Sequence, residues 1–401
     1  MTVSAPPSRP ASQPPGLLRT RNCVALAFAL NGIVFATFVS RLPDVRESLG
    51  LTNGDLGLLL LATSTGSILA LPATGWLVGR LGAATTVRLG AVLATSGLVV
   101  AALGAVLGTV PLTGIGLFVL GMGHGTWDVS MNVEAAEVER RLRYTIMPRF
   151  HAGWSLGSFT GSGVAIVLLA LHVPLMVHVL VVVAVCLVAV QVVTRRFLDA
   201  EVAGEHAPVT RDSRSAWGEP RVLAIGVMVL AFALTEGTAN DWLSLALIDG
   251  YDLPHWGGVA GFTIFVVAMT TGRLVGTTLL DRFGRVVVLL VSAALAFVGV
   301  LLTVFGGHLA LVAVGVVLWG LGAALGFPVG MSAAADDPVR AAARVSVVST
   351  IGYGAFLAGP PLLGWLADHV GTLHMLLVLA VLLVPSAVAV SAAREQRDDV
   401  A

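Results

Sequence analysis

The chain has 401 residues, 56% of them hydrophobic and only 11% charged, with a formal net charge of zero and a mean hydropathy of +0.91. Soluble domains carry about a quarter charged residues, and a water-soluble fold of this length could not hide so much apolar surface. Nucleic acid is excluded as a partner, because that role needs a clustered basic face and none occurs.

Residues 1–20 are rich in proline and serine. That composition cannot pack a core, so a disordered cytoplasmic tail is expected there. The apolar run that follows is long enough to span and lacks a signal-peptide exit, so it is expected to stay as the first helix. A helix needs about 20 apolar residues to cross a hydrocarbon slab of roughly 30 Å. Runs of that kind lie near 22–40, 54–78, 86–108, 112–135, 151–171 and 174–193. A second set lies near 221–243, 257–280, 286–306, 309–332, 345–366 and 373–392. Helix is the only assignment open to them, since each segment must satisfy its own backbone in lipid. The links between spans 3 and 4 and between spans 9 and 10 are so short that both pairs must be tight hairpins.

Every basic residue is arginine, and their placement sets the orientation. With the N-terminus in the cytoplasm, only Arg41 and Arg46 fall outside and only Arg273 falls within a span; this is the asymmetry of the positive-inside rule. The longest polar stretch between spans, 195–220, divides the chain into six spans on either side. The expected organisation is a tail at 1–20, a six-helix bundle at 21–194, a cytoplasmic linker at 195–220, a second bundle at 221–394 and a tail at 395–401. Cys23 and Cys186 both sit in apolar runs without a CxxC pair, so neither a disulfide framework nor a metal site is expected. A lysine-free chain cannot supply the P-loop lysine, and no H-E-x-x-H occurs. No cofactor and no enzymatic activity are expected.

The two halves echo one another. The loop after span 2 reads Gly75-Trp-Leu-Val-Gly79-Arg80-Leu-Gly82, and the loop after span 8 reads Gly276-Thr-Thr-Leu-Leu-Asp281-Arg282-Phe-Gly284-Arg285. On these loops, the span count and the central linker, the chain resembles the major facilitator superfamily, whose hallmark is such a loop in each half. The resemblance covers residues 20 to 394 and implies an all-α polytopic membrane protein, with twelve transmembrane helices in two pseudo-symmetric six-helix bundles. It makes Gly75, Arg80, Gly82, Asp281, Arg282 and Gly284 expected gating-loop residues. Gly79 departs from the pattern, standing where the family usually has aspartate. The strings Gly125-Thr-Trp127-Asp128-Val-Ser-Met-Asn132, Phe150-His151-Ala-Gly153-Trp154-Ser-Leu-Gly157 and Glu236-Gly-Thr-Ala-Asn240-Asp241-Trp242 resemble a bacterial branch near fucose-permease-like sugar transporters. In that branch an acid and an asparagine on helix 4 serve proton coupling and substrate binding, which carries over to Asp128 and Asn132.

Charged groups at membrane depth are costly and are functional candidates by default. On span 4, His124, Asp128 and Asn132 recur every four residues and so share a helix face. Asp128 lies eleven residues before Glu139, roughly 16 Å from that end. A carboxylate that is neutral when occluded and ionised when wet can carry a proton across. Glu134, Glu137 and Glu139 are expected to be solvated partners of Arg140, Arg141 and Arg143. Span 7 repeats the spacing with Glu236 and Asn240, while Asp241 and Trp242 are expected to anchor the outer interface. Arg273 is a buried cation that needs a carboxylate; Glu236, Asp241 and Asp128 are all candidates. Asn31 is a lone mid-span amide, His151 is expected at the surface, and the faces of Trp127, Trp154 and Trp319 suit either a solute ring or helix packing.

These readings give Asp128, Glu236 and His124 as proton-coupling candidates. Asn31, Trp127, Asn132, Asn240, Arg273 and Trp319 are the solute-binding candidates. The expectation is a monomeric secondary transporter of the bacterial inner membrane, with both termini cytoplasmic. Its partners would be a small solute of sugar-like character, protons and the lipid bilayer. A drug/proton antiporter of the same fold and a non-transporting membrane receptor or scaffold stay open as alternatives.

Overall fold

The computed structural model describes residues 15–142, 146–198, 216–337 and 340–394. Most of the expected linker and tails, with Arg9, Arg143, Arg211, Arg214 and Arg397, lies outside those residues. Regular structure among the described residues is helical throughout. In the first half α1 (Pro15–Ser40) leads through the short α2 (Leu42–Leu49) to α3 (Asn53–Val106), α4 (Val110–Leu142), α5 (Met147–Ala170) and α6 (Leu175–Thr194). The second half holds α7 (Pro220–Tyr251), α8 (His255–Phe305), α9 (Leu309–Ala323), α10 (Gly326–Ala334), α11 (Ala341–Val370) and α12 (Leu377–Ala389). Helix α1 starts earlier than the boundary expected at residue 21. Pro15 suits a first helical position, where its missing N–H costs nothing, and the Thr20 hydroxyl donates to the Arg196 carbonyl at 2.7 Å.

Nine helical stretches among the described residues are long and apolar enough to cross a membrane. Two of them, α3 and α8, contain 54 and 51 residues. Straight helices of that length would reach about 80 Å, far beyond the roughly 30 Å slab. Each turns back at one glycine, Gly82 at φ 76° and ψ 162°, and Gly284 at φ 75° and ψ 164°. That backbone region is in practice open only to glycine. The loops singled out as a sequence repeat therefore share one conformation. The hairpins that follow are closed by small residues. No Cβ fits at Gly90, which lies against the Trp127 backbone, or at Gly299, which lies against the Trp319 backbone. Lipid-facing positions carry the remaining apolar surface: Val181, Val185, Val188 and Val192 on α6 are exposed, as are Val381, Val384 and Val388 on α12. In water such stripes would drive aggregation; in a bilayer they cost nothing.

The region expected as one span over 309–332 is two helices, α9 and α10, parted at Ala324 and Leu325. Both residues keep right-handed helical dihedral angles, so the stretch from Leu309 to Ala334 still runs as one apolar span. Here the Arg273 Nε–H donates to the Ala324 carbonyl at 3.4 Å. The glutamates at the end of α4 also differ from expectation. Glu137 does pair with Arg140 and Arg141, both at 2.6 Å. Glu134 is buried and instead accepts the Leu198 N–H at 2.6 Å. Glu139 caps α5, accepting the N–H groups of Ile146 and Met147 at 2.6 and 2.7 Å. The N–H groups at the start of α5 have no intrahelical partner, which draws Glu139 to them.

The halves meet where α3 packs on α11 and α5 on α8. Their polar ties gather at the face opposite Gly82 and Gly284. Arg46 forks onto Asp249 at 2.5 and 2.6 Å. Asp368, at the end of α11, accepts the N–H groups of Asn53 and Gly54 at 2.8 and 2.7 Å, so an acid from one half caps a helix of the other. Asp44 holds His255 at 2.7 Å. Deeper in, the Ser64 hydroxyl donates to the Phe356 carbonyl at 2.8 Å. Among the described residues no such side-chain tie joins the halves at the Gly82 and Gly284 face.

Replacing Gly82 or Gly284 by alanine forces a side chain into a glycine-only conformation, at a cost of about 1–3 kcal/mol. Gly79→Ala, at a helical position with open space around it, is expected to be neutral or stabilising by up to about 1 kcal/mol. Thermal unfolding of the three purified variants in detergent checks both expectations.

Candidate functional site

Between the halves lies a cavity of about 390 Å³, within the range of small-molecule sites. The first half supplies Phe35 from α1, Ser64 and Ser67 from α3, His124 and Asp128 from α4, and His151 and Trp154 from α5. The second half supplies Asn240 and Asp241 from α7, Arg273 from α8, and Tyr353 and Phe356 from α11.

The aromatic wall is built in layers. Asn31 is fully buried and accepts the Trp154 Nε1–H at 2.9 Å, which fixes the indole. Phe35 packs on that indole with centroids 5.3 Å apart and on the His124 ring at 5.7 Å. Asn31 therefore orients a cavity residue instead of lining the cavity itself. Its own Nδ2 has no partner. Trp127 and Trp319 stand apart from this wall. Both are fully buried at the glycine crossings of the two hairpins, and the Trp319 Nε1–H is spent on the Thr235 carbonyl at 3.1 Å.

Charge is distributed unevenly. Arg273 donates through Nη2 to both oxygens of Glu236, at 2.9 and 3.0 Å. Of the three carboxylates open at the sequence level, Glu236 is the partner, and only the arginine of the pair reaches the cavity wall. Asp128 has one donor, the Asn132 amide, which bonds its carbonyl at 2.9 Å and its Oδ1 at 3.4 Å. Asn132 stands behind Asp128, away from the wall. Asp241 receives no hydrogen bond from any described residue. His151 from the first half and Tyr353 from the second complete the ionisable lining of the cavity.

The residues expected in gating loops form a separate group. Arg80 and Arg282 are exposed, each lying over a neighbouring ring, at 4.8 Å from Trp76 and 5.3 Å from Phe283. Asp281 is also exposed. The second-half loop is held instead by Arg285, which pairs with Asp336 at 2.6 Å; the same carboxylate takes Arg221 at 2.9 Å.

Sequence reasoning placed His151 at the surface and Asp241 at the outer interface, and passed over Phe35 and Tyr353. A signal existed for two of them. Asp241 adjoins Asn240 in a run of polar residues inside an apolar helix, and Tyr353 is one of only three tyrosines in the chain. The string Gly153-Trp-Ser155-Leu-Gly157 has the letters of a nucleophile elbow. Ser155, however, is buried in the interior of α5, without the strand-to-helix turn that such a nucleophile needs.

The family model described as Major Facilitator Superfamily matches residues 24–337 and 260–400. An uncharacterized transporter of Sinorhizobium fredii, y4wD, is 35% identical over 351 residues, covering 86% of this chain and 90% of that one. Among solved structures, a variant of the nucleoside transporter NupG overlays with a TM-score of 0.77 at 15% identity, covering 94% of this chain and 99% of that one. A variant of the E. coli fucose:proton symporter FucP overlays with a TM-score of 0.66 at 15% identity, covering 95% and 100%.

Removing one member of the Arg273–Glu236 pair leaves the other charge without its partner. Glu236→Ala and Arg273→Ala should each lower thermal stability, and the double variant should recover part of the loss. The coupling expected from a double-mutant cycle is about 0.5–3 kcal/mol.

Proposed function

The chain belongs to the major facilitator superfamily of membrane transporters, and we propose that it moves a small polar solute by alternating access, driven by protons. The observation that carries this reading is the placement of Asp128 on the wall of a cavity between two halves tied together at one face. The carboxylate sheds its proton when water enters and keeps one when the cavity is sealed. Bound water or solute is what makes an acid tolerable at that depth. The fucose:proton symporter that shares this fold couples sugar to protons, and proton drive through Asp128 is our corresponding assignment for this chain.

The chain crosses the bilayer twelve times in this reading, since α3 and α8 each contribute two arms and α4 runs alongside them. The arginine-rich face is cytoplasmic. The face closed by Arg46–Asp249, Asp368 and Asp44–His255 is then the outer one, and we read the arrangement as inward-directed. Solute contacts fall to Trp154, Asn240, Asp241, Arg273 and Tyr353. Trp127 and Trp319 act in helix packing, Asn31 in holding Trp154, and Glu236 in neutralising Arg273. Arg80, Asp281 and Arg282 are free at the inner face to meet new partners when it closes, between Gly82 and Gly284.

Two measurements test this. In proteoliposomes, with a solute first found by a thermal-shift screen of sugars, organic acids and cationic compounds, Asp128→Asn should abolish proton-driven accumulation while counterflow exchange persists. Accumulation at the wild-type level would refute the proton assignment. Pairing cysteines through Arg46→Cys and Asp249→Cys should arrest transport under oxidation and restore it with reductant. Undiminished transport in the cross-linked protein would refute the outer-gate assignment.

A further inference from the structure

The charge balance of the cavity sharpens the identity of the solute, on the premise that this cavity is the transport site. Its walls carry one arginine, Arg273, and two carboxylates, Asp128 and Asp241, beside His124, His151 and Tyr353. Arg273 is already matched by Glu236 through both carboxylate oxygens. Asp128 and Asp241 have no cation within bonding distance, and Asp241 has no hydrogen-bond donor among the described residues. An ionised carboxylate is acceptor-only and leaves up to four lone-pair sites to be filled. Asp128 has the Asn132 amide behind it and an assigned proton. For Asp241 the protein offers nothing.

An anionic solute is disfavoured, because it would meet the Asp241 carboxylate, of its own sign, and an arginine whose charge Glu236 already matches. A neutral polyol could donate to Asp241 but would leave its charge uncompensated in a site walled by apolar rings. A cation does both. The remaining lining suits it: the faces of Phe35, Trp154, Tyr353 and Phe356 bound the same cavity, and aromatic faces attract organic cations most when water is excluded. We infer that the transported solute carries a positively charged amine, with Asp241 as its acceptor and the Phe35–Trp154 wall as its aromatic support. In this arrangement Asp128 handles the coupling proton and Asp241 the solute charge, so the two acids are not interchangeable.

The test uses full-length purified protein and matched probes that differ in one group: glucosamine, glucose and gluconate; ethanolamine, ethylene glycol and glycolate; benzylamine, benzyl alcohol and benzoate. Binding is read by thermal shift and by Trp fluorescence. At least one ammonium member should bind more tightly than its hydroxyl partner by about 10- to 100-fold, the range of a charge-assisted hydrogen bond. Asp241→Asn should remove that preference, whereas Asp241→Glu should keep part of it, which separates lost charge from a misfolded variant. Equal or tighter binding of the neutral or carboxylate members overturns the inference, as does the absence of binding by every ammonium probe. An ammonium preference that survives Asp241→Asn overturns the role of Asp241. Counterflow in proteoliposomes separates this inference from the transporter reading. Ammonium binding without counterflow sinks transport and leaves the cation site, while counterflow restricted to neutral solutes does the reverse.

Discussion

An unpaired charge inside a hydrocarbon slab is the one thing this architecture must avoid, and the arrangement of its interior follows from that constraint. The arginine at membrane depth, Arg273, is spent on Glu236 and on the Ala324 carbonyl where α9 and α10 part. Those two contacts give the guanidinium a counter-charge and a carbonyl acceptor within the protein. Asp128 and Asp241 are solved differently. They line a cavity, where water, a proton or a bound solute can compensate them. Paired and unpaired charges are therefore told apart by the partners each group has.

The second requirement is movement, which the backbone supplies. Helices α3 and α8 reverse at glycines with nearly identical dihedral angles, and each following hairpin is clamped by small residues against a buried tryptophan. The hairpins are thus stiff units. Contact between the halves runs through α3 with α11 and α5 with α8, helped by close backbone approach; Gly57, for example, lies against the Pro360 carbonyl. Ion pairs and a helix cap close one face over this interface. Most of these outer ties are partly exposed; such pairs are individually weak, because solvent screens them. Weak ties suit a gate that must open repeatedly. The Arg273–Glu236 pair joins α7 and α8 within one half and so takes no part in that opening.

Much of this was readable from the sequence. Hydropathy located the long apolar helices, the short links and the repeated loops, because lipid imposes length and backbone satisfaction on each segment separately. The four-residue spacing of His124, Asp128 and Asn132 correctly gave a shared face, although only the first two reach the cavity. What failed needed knowledge of neighbouring helices. Trp127 and Trp319 read as well for solute stacking as for packing, and it is Gly90 and Gly299, far away in sequence, that decide for packing. Arg273 had three possible carboxylates until the crossing of α7 and α8 brought Glu236 to it. Asp241 was misplaced because depth along a helix was inferred from distance to its end, without the rotation that turns the side chain inward.

The account rests on two halves that rock about a charged cavity, so that one face opens as the other closes. Pulsed electron-spin distances test this without knowledge of the solute, using one label pair at Ser48 and Asp252 on the outer face and another at Arg80 and Arg282 on the inner face, all exposed positions. Breaking the outer ties with Arg46→Ala should lengthen the outer distance and shorten the inner one in the same population. If the outer distance lengthens while the inner one stays fixed, or if neither changes, the halves do not rock as described.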